Sequence, residues 1–167
     1  SATLPNYEDV AEFLHVPKQG LFYFGPEYRP VPLDQTFIGV TEKQRLHQQR
    51  VMNEIAYQKA IESIRQGHQV MIFVHSRKDT ARTAQAIFDI AQKHNTVSEF
   101  SDTDKDAYRR HISAVNKSKN GDLRNHFSHG MGIHHAGMLR SDRTLTERMF
   151  EDGAIKLYAV QRHLPGV

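Results

Sequence analysis

The stretch "QVMIFVHSRKDT", residues 69–80, joins a run of apolar side chains to a polar and basic turn. A near-continuous apolar run of this length is typical of a strand that is buried on both faces of a parallel sheet. We therefore predict a strand at Gln69–His75, followed by a helix from Lys78 to about His94. A strand that leads through a short turn into a helix is the repeating unit of α/β folds.

The same alternation recurs on both sides of this stretch. Apolar runs of strand length alternate with segments of helical spacing, and we predict strands at Gln35–Val40, Gln69–His75, Met131–His134 and Ile155–Val160. Strands that are separated by helices pair in parallel, because each crossover returns the chain to the same edge of the sheet. The sequence thus predicts an α/β fold with a parallel sheet covered by helices.

Helices are predicted at residues 42–66 and 78–94, where apolar residues recur at helical spacing, and at 121–127 and 141–153. The polar segment at residues 104–119 is expected to be a surface helix. Ser141 is the expected N-cap of the last helix. Gly67 and Gly153 are the expected helix stops. The segment "TVSEF" at residues 96–100 is left open between a short strand and a loop.

The first 34 residues differ from the rest in composition. Five of the six prolines lie between Pro5 and Pro32, as in a stiff, extended connector. Asn6 is expected to cap a short helix before it, and the apolar stripe of that helix is Val10, Phe13 and Leu14. Aromatic side chains are expected to anchor the connector, namely Phe22, Phe24 and Tyr28.

The composition excludes several classes of protein. The 167 residues suit one α/β domain, and the absence of cysteine excludes disulfides and thiolate metal sites. No apolar run is long enough to span a bilayer, so no membrane partner is expected. The lack of cysteine and of a secretion-signal pattern at residues 1–10 fits an intracellular protein. A formal net charge of +3 permits a polyanionic partner without demanding one.

"GIHHAGMLRSDR", residues 132–143, places two adjacent histidines at the end of a predicted strand. Neighbouring strand residues point to opposite faces, so His134 and His135 cannot readily bind one metal ion, and we expect no metal site. Ligands bind at the carboxyl ends of strands in open α/β sheets. One histidine is therefore expected to pack and the other to face a crevice beside Gly137, while a structural role for both stays open.

The basic turn at Ser76, Arg77 and Lys78 occupies the equivalent position after another strand. A hydroxyl, two cations and the free N–H groups of a helix N-terminus suit phosphate oxygens, although a solvated basic turn fits these residues equally well. The sequence contains no glycine-rich nucleotide loop ending in Lys-Ser or Lys-Thr, and no Gly-x-Ser-x-Gly elbow. These residues alone predict an α/β domain and leave both phosphate binding and a solvated basic turn open.

Four stretches together resemble superfamily 2 helicases of the superkiller type. They are "SAT" at residues 1–3, the linker-like "GLFYFGPEYRPVPLDQTFIGV" at 20–40, "FVHSRKDT" at 73–80 and "GIHHAGMLRSDRTLTERMFEDGAIK" at 132–156. Within that family the chain is most similar to the N-terminal cassette of the large helicases with two tandem cassettes.

The resemblance implies an arrangement of domains that is truncated at both ends. Residues 1–16 would be the end of a first RecA-like domain, with the motif III strand and helix, and residues 17–34 the linker between the two motor domains. Residues 35–167 would be the second RecA-like domain, incomplete at its C-terminus, so that one edge of its sheet stays open. Ser1, Ala2 and Thr3 would be the motif that couples hydrolysis to movement of the strand.

The resemblance also implies a function, a fragment of an ATP-dependent RNA or DNA helicase of the 3′–5′ type. Its partners would be single-stranded RNA or DNA, the first RecA-like domain of the same protein, and a multi-subunit complex of signal-cointegrator or spliceosomal type, in the nucleus, the cytoplasm or both. ATP and Mg²⁺ would bind to the intact helicase and not to this chain alone. Nucleic-acid contacts would fall on Ser76, Arg77, Lys78, His134, His135 and Gly137.

One segment departs from the family pattern. Where the family has motif V with its two threonines, this chain reads "VQRHLPGV" at residues 160–167, with Gln161 and His163 in their places. The isolated chain is expected to be inactive as an ATPase, because the nucleotide loop and the arginine of motif VI belong to other segments of the family. The alternative function is a non-catalytic RecA-like scaffold that has lost the motor.

Overall fold

The computed structural model describes residues 4–102 and 105–162. The chain divides into two compact units between Gly39 and Val40. In the described part of the chain, no helix combines the length and the apolar character that crossing a membrane requires.

The first unit contains helix α1 (Tyr7–Phe13) and two short 3₁₀ turns, Lys18–Gly20 and Pro26–Tyr28. Asn6 precedes α1 as predicted, but its side chain makes no capping hydrogen bond. The predicted apolar stripe is wrong, because Ala11 is the buried residue of α1 whereas Phe13 and Leu14 are exposed.

The aromatic side chains of the connector are exposed rather than anchored in a core, which corrects the prediction for Phe22, Phe24 and Tyr28. Phe24 and Tyr28 instead meet edge to face, with their ring centroids 5.2 Å apart. The proline-rich backbone around them belongs to no sheet, and rings on such a segment have only local neighbours against which to pack.

The predicted strand at Gln35–Val40 is also wrong, because these residues adopt no regular structure. Phe37 in this segment is 91% exposed. A short apolar segment forms a strand only where a neighbouring strand accepts its backbone hydrogen bonds, and within the described ranges no strand pairs with this segment.

The second unit follows the predicted α/β pattern. Its strands are β1 (Val70–Val74), β2 (Met131–His134) and β3 (Leu157–Gln161), and its helices are α2 (Arg45–Arg65), α3 (Arg77–Lys93), α4 (Val97–Phe100), α5 (Asp106–Lys117), α6 (Gly121–Phe127) and α7 (Arg140–Glu151). The strands form a parallel sheet in the order β1-β3-β2, which confirms the predicted fold class. In this register Val70 and Met131 both pair with Leu157.

Local details differ from the sequence-based expectations. The segment predicted as a short strand or a loop is the helical turn α4, which buries Phe100. Helix α7 begins at Arg140, so Leu139 rather than Ser141 occupies the N-cap position. Gly67 and Gly153 follow their helices with positive φ, as expected of helix stops.

Burial on β1 also differs from the prediction. Met71 is 47% exposed and Phe73 is 63% exposed, so this strand is buried on one face only. Both side chains share a face of the sheet with Tyr158 of β3, against which Phe150 of α7 packs at a ring-centroid distance of 5.3 Å. Helix α7 covers β2 and β3 on this face and leaves β1 open.

The core lies around β3 and consists of two apolar clusters. One cluster contains Ile87, Phe100 and Leu157. The other contains Ile133, Met149, Ile155 and Ala159. Gly130 introduces β2 with a φ of 71°, and a Cβ atom there would overlap the carbonyl oxygen of Phe100. Glycine is therefore required where β2 enters the core.

Candidate nucleic-acid interface

The carboxyl ends of the three strands lie along one edge of the sheet, because all the strands are parallel. At this edge β1 leads through His75 and Ser76 into α3, and β2 leads through residues 135–139 into α7. The end of the central strand, Gln161, lies between these two turns. The topology thus brings together the two turns that the sequence analysis selected.

Ser76 in the first turn is the N-cap of α3. Its hydroxyl oxygen accepts a hydrogen bond from the backbone N–H of Asp79 at 3.2 Å, and the hydroxyl donates to the Asp79 carboxylate at 2.7 Å. The hydroxyl is therefore committed to starting the helix. Arg77 and Lys78, the first two residues of α3, are exposed and carry the positive charge of this turn.

The second turn is held by backbone donors. The N–H of Gly137 donates to His135 Nδ1 at 3.1 Å, and the N–H of Ala136 donates to Gln161 Oε1 at 3.3 Å. A Cβ atom at Gly137 would lie 3.3 Å from both Cδ and Nη1 of Arg77. The Arg77 side chain thus lies against the backbone of Gly137, so the two turns are in contact.

His135 is part of this contact. Burial holds the pKa of His135 below its ordinary value, and the nearby Arg77 cation lowers this pKa further. Because Nδ1 accepts from Gly137, the neutral ring carries its proton on Nε2. His135 at neutral pH can therefore offer a phosphate or a base a hydrogen-bond donor, and not a positive charge.

His134 points to the other face of the sheet, as expected for adjacent strand residues. Its Nε2 lies 2.9 Å from Oε1 of Glu147 on α7, and its ring meets Tyr158 edge to face at 5.7 Å. His134 therefore joins β2 to α7. It does not share the surface of Arg77, His135 and Gly137.

Among residues 4–102 and 105–162, no group of three or more histidine, aspartate or glutamate side chains is placed to hold a metal ion. Ser1, Ala2 and Thr3, the predicted coupling motif, lie outside the described residues.

Two residues at this edge escaped the sequence analysis as site residues. Gln161 was considered only as a replacement for a threonine, yet its amide oxygen holds the turn after β2. Its position at the end of a predicted strand was a usable signal. Glu147 fixes His134 from a separate helix thirteen residues away, and no local spacing pattern indicates such a pair.

No protein-family model matches the chain. The chain is 52% identical over 158 residues to the DExH-box ATP-dependent RNA helicase DExH14 of Arabidopsis thaliana. It is 48% identical to the activating signal cointegrator 1 complex subunit 3 of Mus musculus, and 46% identical to the U5 small nuclear ribonucleoprotein 200 kDa helicase of Homo sapiens. Each match covers 94% of this chain, and the chain spans 7% of the length of each relative.

Proposed function

Because this chain is homologous over 94% of its length to helicases of superfamily 2 of the superkiller type, we propose that it forms one wall of the nucleic-acid path in an ATP-dependent helicase. The path follows the carboxyl edge of the sheet. The contact of Arg77 with the backbone of Gly137 carries this proposal, because it joins two turns with phosphate-binding features into one surface.

Each proposed site residue has its own role at this edge. Arg77 and Lys78 contact backbone phosphates, since exposed cations at a helix N-terminus attract anions. His135 donates a hydrogen bond from Nε2, and Gly137 leaves room for Arg77. Ser76 acts indirectly by capping α3, and His134 acts indirectly through its contact with Glu147.

Binding of single strands tests this role. We expect a fluorescein-labelled single strand of RNA or DNA to bind the chain weakly at about 50 mM salt and more weakly at about 200 mM, because phosphate contacts release counterions. Arg77→Glu should weaken binding at least roughly tenfold. It should also reduce the slope of log affinity against log salt concentration by about one, the value expected for the loss of one phosphate contact. Fluorescence anisotropy measures both quantities.

Arg50→Glu is the matched control, because Arg50 is exposed on α2 and the change in net charge is the same. This control separates loss of a contact from a general reduction of positive charge. Equal effects of the two changes would contradict the assignment of Arg77. Absence of binding even at about 50 mM salt would favour the scaffold that has lost the motor.

The intact protein is proposed to use more than this chain contains. We propose that it binds ATP and Mg²⁺, moves along single-stranded RNA or DNA with 3′–5′ polarity, and works in the nucleus, the cytoplasm or both. The names of two relatives describe a complex subunit and a ribonucleoprotein helicase, which supports work in a multi-subunit complex of signal-cointegrator or spliceosomal type. The first RecA-like domain of the same protein is the other proposed partner.

The domain arrangement also remains a proposal. Residues 1–16 are assigned to the end of the first RecA-like domain, 17–34 to the linker and 35–167 to the second RecA-like domain. The two compact units of the structure divide between Gly39 and Val40, five residues beyond the proposed boundary after residue 34. This division supports a domain boundary in this part of the chain.

We propose that this chain alone hydrolyses no ATP. The reaction needs a lysine and backbone N–H groups around the phosphates, acidic residues for Mg²⁺ and an arginine for the developing charge, and the sequence has no such nucleotide loop. A coupled phosphate-release assay should show no turnover above background, with or without RNA. Turnover that survives repurification and is lost in Arg143→Ala would contradict this proposal.

A further inference from the structure

A groove lies between the C-terminal half of α5 and the exposed face of α7. It is open to solvent, has a volume of about 830 Å³ and begins two residues beyond Gly137. We call it the α5–α7 groove, and the lining residues that matter most are Lys117, Lys119, Leu139, Arg140, Leu145 and Arg148.

The charge of this groove is predominantly positive, with four cations and one acid in its lining. Its four cations, Lys117, Lys119, Arg140 and Arg148, are all exposed, and within the described residues none of them forms an ion pair or a side-chain hydrogen bond. The single acid in the lining, Asp142, is buried and accepts a hydrogen bond from the Ser118 hydroxyl at 2.8 Å. Such a surface attracts an acidic partner.

The floor of the groove is aliphatic. Leu139 is 64% exposed at the start of α7, and Leu145 lies half-buried on the face that also carries Arg148. The lining contains no aromatic ring on which a base could stack. An apolar floor between two helices with cations along its rim is the geometry in which an amphipathic helix docks.

The wall of the groove is preformed. The Ser118 hydroxyl, which donates to Asp142, also accepts a hydrogen bond from the N–H of Asn120 at 3.1 Å. The guanidinium of Arg124 donates to the Ser118 carbonyl oxygen. These bonds fix the loop after α5 against α7, so binding requires little further ordering of this wall.

We propose that the α5–α7 groove binds an acidic amphipathic helix of a partner protein. Aliphatic side chains of that helix pack on Leu139 and Leu145. Carboxylates on its flanks face the four cations of the rim. This surface lies beside the proposed nucleic-acid edge and is a separate binding site.

A designed peptide is the probe. It is a fluorescein-labelled helix of about 12 residues, the length of α7, with leucine at every third or fourth position and glutamate elsewhere. We expect it to bind the full chain at least roughly tenfold more tightly than a peptide of the same composition whose leucines do not share a face. Fluorescence anisotropy gives both dissociation constants.

Two variants locate the binding. The double variant Lys117→Glu with Lys119→Glu should weaken peptide binding by about tenfold or more. The control is the double variant Lys43→Glu with Arg50→Glu, which makes the same charge change at exposed positions near the start of α2. It should leave peptide binding nearly unchanged. Leu139→Ser should weaken the peptide several-fold without unfolding the chain, because serine is a favourable N-cap for α7. Circular dichroism verifies that each variant is folded.

The outcomes separate this proposal from simple electrostatics and from nucleic-acid binding. Equal affinity for the two peptides, absence of peptide binding, or peptide binding that survives either groove variant overturns the proposal. Loss of single-stranded RNA binding in Lys117→Glu with Lys119→Glu, with peptide binding intact, identifies a nucleic-acid surface instead and also overturns it. If Arg77→Glu does not affect RNA binding, the proposed nucleic-acid interface is contradicted, and the proposal for the α5–α7 groove is not.

Discussion

Strands β1 and β3 have similar apolar sequences but very different surroundings. Leu157, Tyr158 and Ala159 of β3 are buried, whereas Met71 and Phe73 of β1 are largely exposed. The difference follows from the helices over the sheet, because α7 covers β2 and β3 and leaves one face of β1 open, whereas β2 is buried although it too pairs only with β3 in the described part of the chain. An apolar run thus indicates a strand, and the neighbours of that strand decide how much of it is buried.

The largest loss of stability is expected for Leu157→Ala, which tests the comparison of β1 with β3. Leu157 is completely buried in the core, and removing three carbons there should lower the free energy of unfolding by about 2–5 kcal/mol. Met71→Ala on β1 is the control and should cost less than about 1 kcal/mol, since its side chain already contacts solvent. Urea denaturation followed by circular dichroism measures both. Equal losses would show that β1 and β3 are equally buried in solution.

A smaller loss of the free energy of unfolding is expected when the pH is lowered. His126 is buried on α6, which packs on β2, and burial lowers its pKa. Burial lowers the pKa of His129 and His135 as well. The unfolded chain then binds protons more readily than the folded chain, so stability is full above about pH 6.5 and is lost as the pH falls below it.

Urea denaturation at about pH 7.5 and about pH 5.5 measures this loss. His126→Gln should make the unfolding free energy depend less on pH, because glutamine does not titrate in this range. His75→Gln, at the exposed end of β1, is the matched control and should keep the pH dependence of the parent chain. A pH dependence unchanged by His126→Gln would refute the assignment.

The smallest expected change in stability is at the exposed face of β1. Phe73→Ser should alter the free energy of unfolding by less than about 0.5 kcal/mol, because most of the ring is already in solvent. The same change should reduce self-association in sedimentation experiments, since an exposed apolar face favours contact between chains beside a strand edge that no other described residue pairs with. A large loss of stability would show that another part of the chain covers Phe73.

The sequence alone could predict three of the four expected strands, because β1 and β3 carry local apolar runs and β2 leads into the Ala136-Gly137 turn before a helix. It could not reject the strand at Gln35–Val40, whose fate depends on neighbours that are distant in the chain. The start of α7 was misplaced for a similar reason. The turn over residues 135–138 sets where the helix starts, and it places Leu139 rather than Ser141 at the N-cap.

The candidate site was predictable to the same extent. The meeting of the two turns follows from parallel topology. The sequence analysis expected the Ser76 hydroxyl to contact phosphate, and its role as the N-cap of α3 is seen only in the structure. The contact of His134 with Glu147 depends on how α7 packs across β2, which no spacing along the chain reveals. The basic α5–α7 groove likewise joins residues from two helices that are separated in sequence.

The strand order has a consequence for how this protein is made. Among the described residues β1 and β2 each pair with β3 and not with each other, and β3 comes after both of them in the chain. During synthesis from the N-terminus, the first two strands therefore leave the ribosome before β3, the strand with which both of them pair. The sheet assembles only after Leu157–Gln161 has emerged and inserted between them, so these pairings of large sequence separation form late. Until then, a growing chain presents the apolar sides of β1 and β2 to chaperones.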